Sequence, residues 1–385
     1  MTMKSNKKIN TVKLLDVVSI GGKNVKEFDN ELMYLSTGDL EESNIVNLEP
    51  VTFDSRPSRA NQLVEINDIL FAKMKDTRKT LLINENTKNI IVSTGFYVLR
   101  TSNKVLPKYI YHYLNSDYFL NQKNKLCKGA TQKAINNDGL KQIDIVLYDD
   151  KIQDKIVELL DKSQQLIDKR KEQIEALDEL VKSQFIEMFG DPITNPKEWN
   201  TAKLGDICTI SRGGSPRPID KFLGGPIPWI KIGDATKGDD IYLYKTKEGI
   251  IEEGVKKSRL IKKGGLIFAN CGVSLGFARI LKIDGCIHDG WLAFEDFEKH
   301  LDKIFFLKSL NYCTEYFRRT APDGTQPNLN TGIMREYVQI LPPMKLQQEF
   351  TKFIKQVDKL KFEMEKSLKE LEDNFNSLMQ KAFKG

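Results

Sequence analysis

Two stretches of the chain carry hydrophobic residues at alternating spacings of three and four. The first lies within residues 151–189, which contain no Pro or Gly, and the second follows a Pro-Pro pair at 342–343. This spacing predicts two long amphipathic helices with a coiled-coil seam. The predicted seam residues are Ile156, Leu160, Ile167, Ile174, Leu177, Val181, Phe350, Ile354, Val357, Met364, Leu368, Leu371, Phe375 and Leu378.

Helix length bears on how the two predicted helices pack. Residues 151–189 would form a helix of about 58 Å at about 1.5 Å per residue, whereas a domain of about 150 residues measures ~40 Å across. Parallel packing would overstretch the connection between the helices. We therefore expect an antiparallel pair with a globular domain at each end. The alternative, in which each helix packs on its own domain alone, stays open.

The chain also repeats itself at an offset of about 190 to 197 residues, far longer than a solenoid period. Residues 12–20 match 202–210, residues 69–73 match 266–270, and residues 130–136 match 324–330. Such a repeat predicts a duplicated unit with pseudo-twofold symmetry. The predicted organisation is a first domain over 9–149, a first long helix over 150–190, a second domain over 195–343 and a second long helix over 344–385.

Each domain is expected to have an α+β fold. Short β-branched runs, such as residues 90–92 and 227–230, predict strands, and each half contains one aromatic-rich amphipathic helix. The aromatic residues of the first half could stack on bases, but the apolar run 304–307 occupies the matching stretch of the second half. Packing in the core is therefore favoured for Tyr109, Tyr111, Tyr113, Tyr118 and Phe119.

Composition narrows the class of protein only slightly. The formal net charge of +6 permits an anionic partner without requiring one. No stretch reaches the roughly 18 apolar residues of a membrane span, and residues 1–10 lack the apolar core of a secretory signal, so we expect a cytoplasmic protein with no membrane partner. Five scattered cysteines and three histidines show neither a Cys-x-x-Cys pair nor a metal-ligand spacing. We expect reduced, mostly buried thiols and no metal site.

Basic residues cluster in segments that are expected to be loops in both halves. Such residues could bind phosphates or could simply form a solvated surface. They are Lys73, Lys75, Arg78, Lys79, Lys123, Lys125, Lys128, Lys133, Arg212, Arg217, Lys221, Arg318 and Arg319.

Each half also contains a Thr-Gln pair near these basic segments. Gln can hydrogen-bond the adenine edge and Thr can contact a thymine methyl, although either side chain could equally brace a turn. The pairs are Thr131 with Gln132 and Thr325 with Gln326. In the second half, Gly-Gly-Ser-Pro-Arg-Pro at 213–218 predicts a rigid exposed loop, which makes Ser215 and Arg217 candidate contacts.

Motifs for catalysis are weak. Residues 272–276 fit the Gly-x-Ser-x-Gly elbow around Ser274, with His288 and Asp289 downstream, but an elbow needs a helix next, and residues 277–283 alternate as a strand does. The sequence has no Gly-x-x-x-x-Gly-Lys-Ser/Thr loop for ATP. Leu-Pro-Pro-Met at 341–344 lacks the Asn and the aromatic residue of the amino-methyltransferase motif. We therefore predict a non-catalytic protein.

With these features in order along the chain, residues 9–384 resemble the specificity subunits of Type I restriction-modification systems. The resemblance is carried by Lys-Leu-x-Asp segments that begin at Lys13 and Lys203, by the 213–217 loop and by the Thr-Gln pairs. Leu-Pro-Pro at 341–343 leading into Leu-Gln-Gln-Glu-Phe at 346–350 completes it.

The resemblance implies a DNA-binding subunit for double-stranded DNA. Each target-recognition domain would recognise one half of a split, asymmetric site, and the helices would set the gap between the halves. Two methyltransferase subunits would bind around the helices, and restriction subunits with translocase activity would join them. S-adenosylmethionine, ATP and magnesium would belong to those partners, so this chain itself would carry no cofactor.

The first half departs from the family pattern. Gly-Gly-Lys at 21–23 lacks Ser-Pro-Arg, and Tyr-Asp-Asp at 148–150 replaces Leu-Pro-Pro, so the loops of the first domain are assigned less closely. A stand-alone DNA-binding or coiled-coil adaptor is the main alternative, and a serine hydrolase is a remote one. Co-purification with a methyltransferase would separate a specificity subunit from an adaptor.

Overall fold

The computed structural model describes residues 10–236, 238–272, 274–322 and 328–384, with the side chains of residues 23 and 24 outside this description. Backbone contacts divide it into two units. Unit 1 takes in the described residues up to 172 and from 365 onward, and unit 2 takes in residues 173–364. Each unit therefore contains one globular domain and part of both long helices.

Unit 1 begins with a mixed domain of short strands and helices. Its strands are β1 (Thr11–Lys13), β2 (Val18–Ile20), β3 (Lys23–Asn24), β4 (Leu32–Leu35), β5 (Leu40–Glu41), β6 (Asn44–Ile45), β7 (Glu49–Val51), β8 (Ala60–Leu63), β9 (Ile69–Ala72), β10 (Thr80–Leu82), β11 (Ile90–Ser93), β12 (Phe96–Thr101) and β13 (Asp144–Val146). Its helices are α1 (Pro107–Leu114), α2 (Asp117–Leu126), α3 (Asn137–Leu140) and the first part of the long helix α4 (Asp150–Phe189).

Unit 2 has the same kinds of element. Its strands are β14 (Thr201–Lys203), β15 (Thr209–Arg212), β16 (Leu223–Ile230), β17 (Tyr242–Leu243), β18 (Glu248–Ile250), β19 (Arg259–Ile261), β20 (Leu266–Ala269), β21 (Ala278–Leu281), β22 (Gly285–Ile287), β23 (Trp291–Glu295) and β24 (Val338–Ile340). Its helices are α5 (Leu204–Ile207), α6 (Glu252–Val255), α7 (Lys303–Tyr312), α8 (Thr314–Thr320), α9 (Thr331–Glu336) and the first part of the long helix α10 (Met344–Phe383).

The sheets of the two domains have matching topologies, as the sequence repeat predicts. In unit 1 the orders are β10-β9-β12-β2 and β3-β8-β11-β4-β7, and in unit 2 they are β15-β23-β20-β21-β17 and β18-β16-β22-β19. Each second sheet contains one parallel pair, β4 with β11 and β16 with β22. The central strands β9, β11 and β20 are continuous apolar runs because both of their faces are buried. The α+β fold and the duplication are confirmed.

A polar cap explains why the repeat extends to residues 136 and 330. The side chain of Asn136 accepts a hydrogen bond from the backbone N–H of Gly139 at the start of α3, and Asn330 accepts one from Ile333 at the start of α9. An Asn at this position satisfies a backbone donor that the first turn of a helix leaves unpaired. The matched Asn residues therefore begin the same short helix in each domain.

The aromatic-rich segment of each half contains two short helices where the sequence predicted one. In unit 1 the break comes at Ser116, whose hydroxyl caps α2 by accepting from the backbone N–H of Phe119 at 3.2 Å. The prediction that the aromatic residues belong to the core is confirmed. Tyr109, Tyr113 and Phe119 are buried, and the half-buried Tyr111 and Tyr118 pack against them.

The long helices α4 and α10 pack antiparallel, as predicted. In unit 2 the ring of Phe189, at the end of α4, lies 5.4 Å from that of Phe350, near the start of α10. In unit 1, Lys171 Nζ of α4 lies 3.5 Å from Glu372 Oε1 of α10. Every predicted seam residue is buried or half-buried. The pattern missed four further buried hydrophobic residues of these helices, which are Phe185, Phe189, Met379 and Phe383.

Candidate nucleic-acid interface

Three loops of unit 2 meet at one end of its larger sheet. Strand β15 ends beside the start of β23, where Arg212 pairs with Leu292, and β20 ends there too, where Ala269 pairs with Trp291. The backbone N–H of Gly213 donates to Trp291 O at 2.9 Å, and that of Asn270 donates to Gly290 O at 3.0 Å. Three segments therefore lie together at this end of the strands, which are the 213–218 loop, the 270–276 loop and the 288–290 turn. We call such a group of loops at the strand ends a loop edge.

The two glycines of the 213–218 loop are required by close backbone approach. A Cβ at Gly213 would lie 2.2 Å from His288 O, and one at Gly214 would lie 2.9 Å from Lys257 O. The Gly214 N–H donates to Ile287 O at 3.0 Å, while the Ser258 hydroxyl donates to Gly214 O at 2.7 Å. The loop is thus held against the sheet at its two glycines, and Arg217 within it is exposed.

Asp289 anchors the same loop through its side chain and its backbone. Its Oδ1 accepts from Ser215 Oγ at 2.7 Å and lies 2.9 Å from His288 Nε2, and its carbonyl oxygen accepts from Arg212 Nε at 3.0 Å. Burial acts to raise the pKa of the Asp289 carboxyl, but the Ser215 hydrogen bond and the charges of His288, Arg212 and Arg217 hold it below its ordinary value. The carboxylate therefore stays ionised and keeps the loop in place.

The predicted loop residues of unit 2 differ in whether their side chains make hydrogen bonds within the protein. Ser215 and Arg212 bond to Asp289 and support the loop, while Arg212, Arg217 and Lys221 are all exposed. Arg259, which the sequence argument did not select, is also exposed and donates through Nε to Arg212 O at 2.8 Å. Exposed cations on and beside one loop make a suitable surface for phosphates.

In unit 1, backbone hydrogen bonds join the 73–79 loop to the 128–135 segment, which were predicted as separate loops. The Lys75 N–H donates to Lys133 O at 2.9 Å, and the Ile135 N–H donates to Lys73 O at 3.0 Å. A Cβ at Gly129, where φ is +132°, would lie 2.4 Å from Gln132 O, so this turn requires glycine. Unit 2 repeats the arrangement, because the Leu329 N–H donates to Asn270 O at 2.8 Å.

Three of the predicted cations of unit 1 have their charged group bound to the protein. Lys73 Nζ donates to Thr94 O at 2.8 Å and lies 4.4 Å from the centre of the Tyr97 ring, and burial lowers its pKa. Arg78 binds Asp117 and Asn115 O. Lys79 Nζ donates to Thr37 O at 2.7 Å. The predicted residues of unit 1 with exposed side chains are Lys75, Arg78, Lys125, Lys128, Thr131, Gln132 and Lys133.

Four predicted loop cations lie on helices instead. Lys123 and Lys125 belong to α2, and Arg318 and Arg319 belong to α8. Lys123 is buried, so its prediction as a solvated phosphate contact is wrong. Arg318 Nε donates to Leu275 O at 3.1 Å. Thr325 and Gln326 lie outside the described residues.

The 288–290 turn is the main feature that sequence reasoning missed. Its residues were considered only as partners of Ser274 in a hydrolase. An Asp-Gly pair between the apolar runs 285–287 and 291–294 is a turn signal, and it could have identified this edge. The turn that contains Ser274 leads into strand β21, not into the helix that a nucleophile elbow needs.

Other properties of the described residues bear on ligands. All five cysteines are free thiols, two of them buried and three half-buried. Within the described ranges, no group of three or more His, Cys, Asp or Glu side chains could hold a metal ion. No helix in this part of the chain combines the length and the apolar character that crossing a membrane demands.

Two domains of the same α+β topology, each with a cationic loop edge and both sharing one antiparallel helix pair, define a tandem-domain recognition protein. The model of the Type I restriction modification DNA specificity domain matches residues 6–177 and 196–373. The chain belongs to this family, with one matched region in each half.

Curated relatives agree with this assignment. The chain is 25% identical over 168 residues to the Type I restriction enzyme MjaIX specificity subunit of Methanocaldococcus jannaschii, covering 43% of this chain and 39% of the relative. It is 23% identical over 207 residues to the MjaVIII specificity subunit of the same organism, covering 52% of this chain and 45% of that relative. The matches thus span less than half of each relative.

Solved structures share the fold over the whole length. A chain from a structure described as the basis of complex assembly and conformational transition of the type I R-M system matches with a TM-score of 0.69 and 19% identity, covering 98% of both chains. The Type I restriction-modification S subunit from M. genitalium matches with a TM-score of 0.56 and 17% identity, covering 100% of this chain and 98% of that one.

Proposed function

We propose that this chain is a non-catalytic specificity subunit that recognises a bipartite, asymmetric DNA site. Each domain recognises one half-site through its loop edge, and the helix pair sets the gap. Two methyltransferase subunits and the restriction subunits are directed to the site by binding the chain. S-adenosylmethionine, ATP and magnesium are held by those partners, and the complex acts in the cytoplasm.

The observation that carries the proposal is the duplicated loop edge. The same backbone hydrogen bonds support it in both units, between residues 73 and 135 and between residues 270 and 329. The exposed side chains lie on different loops around this scaffold: Lys128 and Gln132 precede residue 135 in unit 1, whereas Arg217 and Lys221 follow strand β15 in unit 2. A shared scaffold with differently placed side chains suits two different half-sites, because base edges are distinguished by side-chain chemistry.

Exposed apolar residues on the long helices support partner binding. Leu159, Leu166 and Leu180 of α4 are 48%, 54% and 45% exposed, and their spacings of seven and fourteen place them on one helix face. On α10, Leu360 and Phe362 are also exposed. Apolar stripes outside the seam favour the docking of further helices, as methyltransferase subunits around the pair would require.

The proposal is tested by expressing the chain with its methyltransferase partner and mapping methylated adenines across the host genome. We expect two short defined sequences separated by a fixed gap of unspecified bases. Lys128→Ala with Lys133→Ala should weaken methylation through the first half-site, and Arg217→Ala with Lys221→Ala through the second. A methylation pattern that does not depend on this chain would overturn the proposal.

Matched controls lie at the other end of the sheets. Lys104 follows β12 and Lys299 follows β23, and both are exposed. The candidate loops lie near the start of these two strands, where Phe96 pairs with Ala72 and Trp291 with Ala269. Lys104→Ala and Lys299→Ala should therefore leave methylation unchanged.

A further inference from the structure

A buried lysine holds the 73–79 loop of unit 1. Lys123 is 1% exposed, and its Nζ donates to Ala72 O at 3.2 Å, to Thr77 O at 2.6 Å and to Thr77 Oγ1 at 3.3 Å. All three acceptors belong to the end of β9 or to the loop that follows it. An ammonium buried this deeply cannot reach a DNA phosphate.

Helix α2 supplies further contacts to the same loop. Asn124 Oδ1 accepts from the Asp76 N–H at 2.9 Å, and Asn124 Nδ2 donates to Asp76 Oδ1 at 2.7 Å. The loop backbone in turn holds the exposed Lys133 segment through Lys75. Lys123 is therefore linked, through the backbone of the 73–79 loop, to the segment that carries the exposed Lys133.

Unit 2 has a counterpart at the same position in the fold. Arg318, on the second short helix α8, donates through Nε to Leu275 O at 3.1 Å, and Thr314 Oγ1 donates to Gly276 O at 2.7 Å. Leu275 and Gly276 belong to the loop that follows β20, the strand matching β9. Both domains thus place a cation of the second short helix on backbone carbonyls of the matching loop.

The charge on Lys123 is held at an energetic cost. Burial lowers its pKa to about 8, while Cys127 and Asp76 act to raise it and Arg78 acts to lower it. A lysine whose pKa is lowered in the folded protein is charged there at a cost in stability. What the cation supplies is directional, charge-assisted hydrogen bonding to carbonyls of β9 and the loop that follows it.

We propose that Lys123 is a positioning residue for DNA recognition: it fixes the 73–79 loop and, through it, the 128–133 segment, without touching DNA. Arg318, which is exposed and also pairs with Glu315, supports the 270–276 loop through Leu275 O. This inference rests on the proposed function. It adds that discrimination between sequences depends on a buried cation that makes no phosphate contact.

The test uses the full chain with its methyltransferase partner and two DNA duplexes. One duplex contains the recognition sequence found by mapping methylated adenines, and the other has a scrambled sequence. Affinities are measured from low to high salt for wild type, Lys123→Met and the control Lys104→Met, an exposed lysine at the other end of the sheet. Lys123→Met should lower the ratio of specific to scrambled affinity by about tenfold or more, while the salt slope stays unchanged. Lys104→Met should leave both the ratio and the salt slope unchanged.

Hydrogen exchange separates positioning from simple destabilisation. In Lys123→Met, the amides of Lys75 and Asp76 should exchange faster, while those of the buried strand β11 stay protected. Lys123→Arg should restore most of the affinity ratio. If Lys123→Met does not fold, Arg318→Met tests the same idea at the second half-site, with Lys299→Met as its control.

Two results would overturn the inference. One is a salt slope reduced by about one with an unchanged affinity ratio, which would mean a phosphate contact. The other is an unchanged ratio in every folded variant of Lys123 and Arg318. Failure of the proposed function would give a different result, because wild type alone would then bind both duplexes with equal affinity.

Discussion

Gln153 and Gln347 make the same three hydrogen bonds in the two units. Gln153 Oε1 accepts from the Leu106 N–H at 2.9 Å, and its Nε2 donates to Lys104 O at 3.1 Å and Tyr148 O at 2.8 Å. Gln347 Oε1 accepts from the Asp302 N–H at 2.7 Å, and its Nε2 donates to His300 O at 3.1 Å and Pro342 O at 2.8 Å. Each long helix is thus fastened near its first turn to the segment that precedes the first short helix.

Replacing Gln347 should destabilise unit 2. Gln347→Leu leaves the Asp302 N–H and two carbonyl oxygens without partners, at an expected cost of about 1–3 kcal/mol in the free energy of unfolding. All three tryptophans, at positions 199, 229 and 291, lie in unit 2, so urea unfolding followed by tryptophan fluorescence reports on this unit. The exposed neighbour provides the control, Gln348→Leu. Equal midpoints for the two variants would contradict the expectation.

The aromatic contact between the long helices should contribute more to the stability of unit 2 than the hydrogen bonds of Gln347 do. Phe350 is fully buried, and its ring lies 5.6 Å from that of Phe185 and 5.4 Å from that of Phe189. Phe350→Ala should lower the free energy of unfolding by about 3–5 kcal/mol, since it removes a large buried side chain and leaves a cavity. Phe362→Ala, on the same helix but 65% exposed, should change it little. Tryptophan fluorescence in urea again provides the comparison.

The stability of unit 2 should depend on the ionisation of Asp358. Burial raises its pKa to about 6; Asp240 and Asp239 act in the same direction, and Lys308 and Lys361 oppose them. Because the folded state binds this proton more tightly than the unfolded state, the contribution of Asp358 to stability falls as pH rises from about 4 to about 6.

Asp358→Asn removes this dependence. The variant should raise the urea midpoint relative to wild type at pH 7.5, and should raise it less at pH 5. Glu363→Gln, an exposed carboxylate on the same helix, should show no such difference between the two pH values. A midpoint for Asp358→Asn that is lowered at pH 7.5 would mean that the ionised carboxylate stabilises the fold through Lys308 or Lys361.

Partner binding should depend on the exposed helix stripe. Leu159→Ser with Leu166→Ser should leave the domain folded, because both side chains are about half exposed, but should reduce the amount of methyltransferase that co-purifies with the chain. Exposed polar neighbours offer a control, Lys155→Ser with Lys162→Ser. Undiminished co-purification of the leucine variant would show that this face is not used.

Helix length should set the gap of the DNA site, if the proposed function holds. One heptad added to both helices, near Ile174 and Leu368, preserves the seam and lengthens the pair by about 10 Å. At ~3.4 Å per base pair, the gap should grow by at most roughly three base pairs while both half-sites stay the same. Methylome sequencing provides the measurement. An altered half-site with an unaltered gap would rule out this role of the helices.

Local patterns predicted much of the fold, and distant contacts account for what they missed. The three-four spacing identified the seam, yet Phe185 and Phe189 were missed because they follow a four-residue spacing from Val181. They face aromatic residues far along the chain, such as Phe305. Lys123 was predicted as exposed because nothing in its charged helix reveals acceptors 46 residues away at Thr77. Likewise, the role of Asp289 depends on Ser215, 74 residues before it.

The division of the long helices between the units bears on how the chain is synthesised. Residues 173–364 of unit 2 are continuous in sequence, so its domain can close as soon as they leave the ribosome. The core of unit 1 also contains Met379 and Phe383, and Phe383 packs 5.2 Å from the ring of Tyr109. Unit 1, whose domain is translated before unit 2, therefore completes its core after it, and until then its unfinished side exposes apolar surface to chaperones and proteases.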